Sequence, residues 1–300
     1  MVPLLTDPEW DTLIARIQSG QCTPFLGAGA CDGILPKGTD IAGEWAAKYK
    51  YPMGDPQNLP RVAQYLATTG DPWWPKQMIV DRFNAIPPPD FQKPDQPHGF
   101  LAKCRLPLYV TTNWDDYMWL ALKAEGTEPR RELCCWSKDV QELAAPSAFA
   151  QGSGFTTSGD TPLVFHLHGH VSMTKSLVLT EDDYLNFLVR MSKGKGPIPA
   201  RIQEAFADTS LLFMGYGLND LDFRVAFRSL AGYIAHSTMP MHVSVQLTPE
   251  HPGMTDRQRE DTRKYLERYL DHQGVRVFWG TCEEFVHELQ WRWEVINANK

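Results

Sequence analysis

The stretch Pro24-Phe-Leu-Gly-Ala-Gly-Ala-Cys31 indicates the fold of this chain most directly. A short apolar run ends at Leu26 and turns at once into Gly27-Ala28-Gly29, as a buried parallel strand does where it delivers its carboxyl end to a phosphate. Glycines permit a close approach of the backbone, and a following helix offers unpaired N–H groups to an anion. The turn departs from the dinucleotide fingerprint G-x-G-x-x-G, because Asp32 stands where the third glycine belongs. It therefore predicts either a tight strand–helix connection or a nucleotide site of another kind.

Further short apolar runs predict the other strands of the same sheet. They lie at 107–112, 163–167, 210–214, 241–245 and 275–279. The stretches between them are amphipathic or mixed, and they are long enough to be crossover helices. Near-continuous apolar runs that alternate with helices are typical of a parallel sheet covered on both faces. The predicted fold class is therefore α/β, with a Rossmann-like parallel sheet of about six strands flanked by helices.

We expect residues 1–300 to form one domain that carries two insertions. Residues 37–100 are far more than one crossover needs and are rich in proline and tryptophan, so we predict a helical insertion over the nucleotide cleft. Residues 124–160 are predicted to be a second, loop-rich insertion. The first helix is expected to begin at Asp7-Pro8, and the last to open with the capping box Thr281-x-x-Glu284.

The composition is that of an ordinary globular protein, with 43% hydrophobic and 22% charged residues. No apolar run approaches the roughly 20 residues of a membrane helix. The N-terminus lacks the features of a signal peptide, and the six cysteines form no disulfide-like framework, which together favour a reducing cytoplasm without membrane contact. A net charge of −7 provides no basic field for nucleic acid, and the basic stretch 190–201 is interpreted as a solvated loop.

Polar residues follow two of the later predicted strands, as Thr111-x-Asn113-x-Asp115 and as His168-Gly169. Taken in order, Gly-Ala-Gly, Thr-x-Asn-x-Asp and His-Gly resemble the signatures of the sirtuin family. Within that family the chain resembles the sirtuin-like (silent information regulator-like) NAD hydrolases of bacterial anti-phage defence systems. A fourth segment, Leu211-Leu-Phe-Met-Gly-Tyr-Gly-Leu-Asn-Asp-Leu-Asp-Phe-Arg224, resembles the Gly-Tyr-Ser-Leu-x-Asp turn of the bacterial branch. The four motifs span residues 23–224.

The resemblance implies NAD as the substrate and assigns roles at the matching positions. Asn113 would hold the ribose hydroxyls or a water molecule without neutralising the positive charge that develops on the ribose. His168, with a pKa near neutrality, would accept a proton, and Asp115 would bind the nicotinamide amide. Asn113 and His168 are thus the expected catalytic residues. The residues expected to bind the nucleotide are Gly27, Ala28, Gly29, Asp115, Gly215, Tyr216, Gly217 and Asn219.

Each of these polar residues also has a purely structural interpretation. Asn113 could be an Asx cap of the following helix, and Asp115 could be an acidic residue of the first helical turn, favoured by the helix dipole. His168 could be a core histidine bonded to backbone. Asn219 could cap the helix after the fourth motif. Only the order of the motifs along the chain favours the ligand-binding interpretation over these alternatives.

The histidine triplet His166-Leu-His168-Gly-His170 raises the alternative of a zinc site, because alternate histidines of one strand can share a metal. The acidic companion that metallo-hydrolases carry after such a triplet is absent, since His170 occupies its position. The Cys-x-x-Cys pairs that hold structural zinc in the protein deacylases of the family are absent too. Neither a structural nor a catalytic zinc is therefore expected, and His166 and His170 are predicted to play supporting roles.

The resemblance predicts a NAD glycohydrolase that releases nicotinamide and ADP-ribose. The segment Gly33-Ile-Leu-Pro36 lacks the Asp-Phe-Arg that follows in the deacylases, which favours transfer to water over transfer to a protein. ADP-ribosyl transfer, protein deacylation and a non-catalytic nucleotide-binding regulator remain alternatives. Because NAD depletion is toxic and the predicted sheet occupies nearly all of the chain, control is expected from a homo-oligomer, from closure of an insertion, or from a partner defence protein. Such a partner could be an ATPase, an Argonaute-like protein or a nucleotide-sensing enzyme.

Overall fold

A computed structural model describes residues 5–150, 152–192, 197–217, 241–249 and 253–298 of the chain. The expected nucleotide-binding residue Asn219 lies outside these ranges, as do residues 193–196 of the basic stretch. No helix within the described ranges combines the length and the apolar character that crossing a bilayer requires.

The described residues form one seven-stranded sheet in which all the paired strands are parallel. The strands are β1 (Cys22–Leu26), β2 (Leu108–Thr111), β3 (Arg130–Leu133), β4 (Leu163–His166), β5 (Ser210–Met214), β6 (His242–Gln246) and β7 (Val275–Trp279). Their order across the sheet is β3-β4-β2-β1-β5-β6-β7. The strand order reverses at β1, between β2 and β5, and in open α/β sheets such a switch point marks the crevice where ligands bind.

Helices cover both faces of the sheet and the connections between its strands. They are α1 (Asp7–Gln18), α2 (Gly38–Lys48), α3 (Leu59–Thr69), α4 (Trp74–Asn84), α5 (Pro97–Lys103), α6 (Tyr117–Ala124), α7 (Lys138–Leu143), α8 (Glu181–Ser192), α9 (Ala200–Asp208), α10 (Asp256–Asp271) and α11 (Cys282–Ala298). One buried cluster joins the sheet to α1, α5, α6 and α11, and a second joins the other face to α8, α9 and α10. The predicted α/β class with a parallel sheet is thus confirmed.

The predicted first insertion, residues 37–100, contains α2, α3, α4 and the start of α5. Buried apolar side chains of α2, α3 and α4 form a third cluster together with Leu177 and Leu179, which follow β4. Half-buried Trp114, which follows β2, packs against the same cluster. These helices therefore lie over the carboxyl ends of two strands that carry the predicted site residues.

The segment 124–160, predicted as a loop-rich insertion, contains the edge strand β3 and the short helix α7. Strand β3 carries Arg130, Arg131 and Glu132 and is exposed or half-buried, so it lacks the apolar run that marks the central strands. Helix α1 begins at Asp7, as expected, and its N-cap is Thr6, which forms a capping box with Glu9.

Candidate functional site

The predicted site residues follow four strands whose carboxyl ends lie side by side. Leu26 at the end of β1 is in register with Thr111 of β2 and with Met214 of β5, and Thr111 is in register with His166 of β4. The residues that follow these four strands therefore emerge at one edge of the sheet. Because parallel strands bring their carboxyl ends together, this edge is where an α/β protein binds its ligand.

The two glycine turns at this edge pack backbone against backbone. The N–H of Gly27 donates to Met214 O at 2.9 Å, and the N–H of Gly29 donates to Gly215 O at 2.8 Å. A Cβ atom on Gly215 would lie 2.3 Å from Ala30 N and 2.6 Å from Gly27 O, and Gly215 has φ +81°. Only glycine satisfies both conditions.

This packing changes the interpretation of the Gly27–Gly29 turn as a phosphate site. The N–H groups of Gly27 and Gly29 already have partners on the β5 side, so they are not free donors for a phosphate. The element that follows Gly27 is a four-residue 3-10 turn, Ala28–Cys31, whereas the next α-helix begins only at Gly38. Ala28 and Gly29 are nevertheless exposed at the edge. An open hollow of about 450 Å³ is lined by residues 32–37, which follow the 3-10 turn, and by Asp40, Arg82 and Ile86.

Tyr216 is buried, and its side chain serves the sheet. Its hydroxyl donates to Leu26 O at 3.0 Å and accepts a hydrogen bond from Thr112 Oγ1 at 3.1 Å. These two hydrogen bonds connect the turn after β5 to the ends of β1 and β2. Gly217, the next residue, is exposed.

Asn113 connects the turn after β1 to the end of β2. Its side-chain amide donates to Gly27 O at 3.1 Å and to Cys31 Sγ at 3.4 Å, while its backbone N–H donates to Thr111 Oγ1 at 2.9 Å. The side chain is half-buried, so one side of it faces the cleft. The residue at the N-cap position of α6 is Asp116, so Asn113 does not cap that helix.

Asp115 is buried, and its carboxyl group has two partners. Oδ1 accepts the backbone N–H of Tyr117 at 2.9 Å, and Oδ2 accepts the thiol of Cys31 at 3.5 Å. Burial raises the pKa of Asp115, although both hydrogen bonds act in the opposite direction. The bond to Tyr117 matches the alternative in which Asp115 supports the first turn of α6, and it leaves the second oxygen beside Cys31.

His168 is buried rather than exposed at a strand end, being only 2% accessible. Its ring makes edge contacts with Tyr184 and Phe187 of α8, with ring centroids 5.6 and 4.9 Å away. Within the described part of the chain its Nε2 has no hydrogen-bond partner. Burial lowers the pKa of His168 to about 3, which corrects the expectation of a value near neutrality. At neutral pH the residue is an uncharged imidazole.

The other two histidines of the triplet support neighbouring loops. His166 Nδ1 lies 3.2 Å from Asn113 O, and the rings of His166 and His170 are in edge contact with centroids 4.7 Å apart. His170 Nε2 lies 3.0 Å from Asp116 Oδ1, and Asp116 also pairs with Arg131 of β3. These contacts agree with the supporting roles predicted for His166 and His170.

Two buried residues near the site were not singled out by the sequence motifs. His98 of α5 and Cys31 bring their Nε2 and Sγ atoms to 3.9 Å of one another, next to Asp115. His98 lies far along the chain from every motif, between a proline and a glycine. No spacing rule connects it to Cys31, so only the packing of α5 against the edge reveals the pair.

The parallel sheet, flanked by helices on both faces, defines this chain as a Rossmann-like α/β protein. Residues 107–277 match the model of the SIR2-like domain, and since this is more than half of the chain, the chain belongs to that family. Membership confirms the resemblance to the sirtuin family that the motifs indicated.

Two individual proteins are also similar to the chain. The chain is 25% identical over 129 residues to the NAD(+) hydrolase ThsA of Acinetobacter baumannii (strain 532279), a match that covers 43% of this chain and 23% of ThsA. It therefore spans about a quarter of that relative. A solved chain described under "Structural Basis for the Mechanism and Regulation of Sir2 Enzymes" aligns over 97% of this chain and 100% of its own length, with a TM-score of 0.40 and 13% identity.

Proposed function

We propose that this chain is a NAD glycohydrolase, which cleaves NAD to nicotinamide and ADP-ribose. The observation that carries the proposal is the 3.1 Å hydrogen bond from the Asn113 amide to Gly27 O, because it joins the Gly-Ala-Gly turn and the Asn-x-Asp segment in one cleft edge. Membership of the SIR2-like family supports NAD as the substrate class. The similarity to a NAD(+) hydrolase supports hydrolysis as the reaction.

The proposed reaction divides its tasks among three polar residues. Asn113 holds the ribose hydroxyls or the attacking water, and as a neutral amide it does not oppose the positive charge of the departing ribose. Asp115 binds the carboxamide of nicotinamide. His168 accepts the proton, and its low pKa keeps it in the unprotonated form that a base requires. Since His168 is buried, the proposal requires the cleft to open around α8 for turnover.

The nucleotide part of NAD would lie along the glycine turns. Ala28, Gly29 and Gly217 are exposed at this edge, whereas Gly27, Gly215 and Tyr216 pack beneath it. The hollow lined by residues 32–37 offers room for a ligand. Asn219, which lies outside the described residues, is proposed as a further contact of the nucleotide.

The biological role we propose is that of a NAD-depleting effector in a bacterial anti-phage defence system. Its control would come from self-association, from a partner protein, or from the helical insertion. The contacts of α8 support control by the insertion: the side chains of Arg61, Gln64 and Lys76 bind three consecutive acidic residues at the start of that helix. Because α8 also buries His168, this interface governs access to the proposed base.

The experiment that tests the proposed activity is product analysis. Purified protein is incubated with NAD, and the products are separated and quantified. Equal amounts of nicotinamide and free ADP-ribose would support hydrolysis. ADP-ribose attached to protein would favour the transferase, and binding of NAD without nicotinamide release would favour the non-catalytic regulator. Repeating the assay over a dilution series, with light scattering, tests control by assembly: a specific activity that does not change on dilution would contradict it.

A further inference from the structure

The thiol of Cys31 contacts polar side chains from two other parts of the chain, the segment after β2 and helix α5. Its Sγ is 3.4 Å from Asn113 Nδ2, 3.5 Å from Asp115 Oδ2 and 3.9 Å from His98 Nε2. Cys31, His98 and Asp115 are all buried, and Asn113 is half-buried. Cys31 is the last residue of the 3-10 turn after β1, and Asn113 and Asp115 follow β2. The sulfur atom therefore connects these two candidate site residues to the Gly-Ala-Gly turn.

The side chain of Gln96 determines which nitrogen of His98 carries the hydrogen. The Oε1 atom of Gln96 accepts the backbone N–H of Gly99 at 2.6 Å, so its NH₂ group faces His98 Nδ1, 3.0 Å away. Nδ1 must then accept, and in the neutral imidazole the hydrogen lies on Nε2, towards Cys31. Burial lowers the pKa of His98 to about 4 and keeps the ring neutral. The sulfur therefore accepts from His98 and Asn113, and its own hydrogen points to Asp115.

The same three buried residues also resemble a metal site, because Cys, His and Asp are common zinc ligands and their ligand atoms lie within 4.8 Å of one another. A metal ion would need the lone pair of His98 Nε2. The Gln96 amide donates to Nδ1, so the neutral ring carries its hydrogen on Nε2, and that lone pair is not available to a metal. The contacts therefore favour a hydrogen-bonded cluster over a metal centre.

We propose that Cys31 is a positioning residue for the cleavage of NAD, whose thiol orients the Asn113 amide and supplies a hydrogen bond to the Asp115 carboxyl. This inference rests on the proposed function. A sulfur atom fits this position because it forms long hydrogen bonds: the three partner atoms lie 3.4 to 3.9 Å from Cys31 Sγ. A hydroxyl oxygen makes hydrogen bonds of about 2.8 Å and cannot serve all three partners at once.

Removal of the thiol also changes the electrostatics of Asp115. The groups that face this carboxyl are Cys31 after β1, His98 on α5, Tyr117 on α6 and His170 after β4. Burial raises the pKa of Asp115, while the hydrogen bonds from Tyr117 and Cys31 and the nearby His170 lower it. Without the thiol, one lowering contribution is lost, so Asp115 would ionise only at a higher pH.

The test compares Cys31→Ala, Cys31→Ser and the control Cys104→Ala. Cys104 is a partly buried thiol whose bond goes to Phe100 O, outside the cluster. The values of kcat and KM for NAD are measured from pH 5 to 9, and thermal unfolding is recorded for each variant. We expect Cys31→Ala to lower kcat about tenfold or more, as misplaced catalytic groups do, and to move the acidic limb of the pH profile upward. Cys31→Ser should recover part of kcat, and Cys104→Ala should match the wild type.

Two results would overturn the proposal while the proposed function stands. One is an active wild type with a Cys31→Ala variant of unchanged kcat and pH profile. The other is a loss of activity that follows the loss of thermal stability and that serine does not rescue, which would mark a structural role only. A wild type that releases no nicotinamide would refute the proposed function itself, and the role of Cys31 would be refuted with it.

Discussion

The backbone N–H of Gly29 donates to the carbonyl oxygen of Gly215 at 2.8 Å, so the turns after β1 and β5 are bonded directly to one another. Phosphate-binding turns usually keep such N–H groups for the ligand. Here the bond fixes the position of the first turn relative to the switch point of the sheet, and Ala28 and Gly29 remain exposed beside it.

Substitution of Gly215 by alanine should strongly destabilise the protein. The new Cβ would lie 2.3 Å from Ala30 N, and the residue has φ +81°. Gly126→Ala is a matched control, because Gly126 has φ +74° with nothing within 4 Å of its Cβ position. We expect a cost of about 1 kcal/mol for the control and about 3 kcal/mol or more for Gly215→Ala, measured by urea unfolding. Equal costs would show that the close approach of the two turns does not exist.

Stability should fall as the pH drops from 6.5 towards 4. Burial lowers the pKa of four histidines, to about 3 or 4; they are His98, His166, His168 and His242. The unfolded chain binds protons at these residues below pH 6.5 and the folded chain does not, so the stabilisation is complete above pH 6.5 and declines below it. Each histidine contributes up to about 1.4 kcal/mol per pH unit.

Urea unfolding at pH 7.5, 6 and 5 measures this dependence. His168→Gln removes one of the buried imidazoles and should make the decline shallower. His287→Gln, on the exposed side of α11, is the control and should leave the decline as it is. A stability that is constant from pH 7.5 to 5 would contradict the burial of these rings.

The ion pair between Lys76 and Asp183 should stabilise the contact of the insertion with α8. Its atoms lie 2.9 Å apart, and the side chains are only 6% and 13% exposed. Lys76→Met leaves a buried carboxylate without its cation and should lower the free energy of unfolding by about 3 kcal/mol. Arg61→Met breaks the exposed pair with Glu181 between α3 and α8 and should cost about 1 kcal/mol or less. If the two variants lose the same stability, the buried pair has no special role.

Much of the fold could be predicted from the sequence because central parallel strands are apolar along their whole length. The predicted runs 107–112 and 163–167 correspond to Leu108–Thr111 and Leu163–His166. Strand β3 could not be found in this way, since its Arg130 and Arg131 are the charged residues of an edge strand. Its pairing with β4 is decided by tertiary structure rather than by local pattern.

The candidate site was predictable in its location but not in its chemistry. Strand ends of a parallel sheet meet at one edge, so the motifs could be expected to gather there. The burial of His168 depends on Tyr184 and Phe187 of α8, and the junction at Cys31 depends on His98 of α5. These contacts join segments that are distant in sequence, and no spacing within one motif encodes them.

The most direct test of the central claim is the rate of nicotinamide release by Asn113→Ala. Asn113 is half-buried and lies outside the apolar core, so the variant should stay folded while it loses the amide that positions the ribose or the water. Gln290→Ala, which removes an amide of α11 that donates to Glu294 of the same helix, is the control. We expect the rate to fall on the order of 100-fold or more in Asn113→Ala and to stay unchanged in Gln290→Ala. A folded Asn113→Ala variant that releases nicotinamide at the wild-type rate would contradict the account.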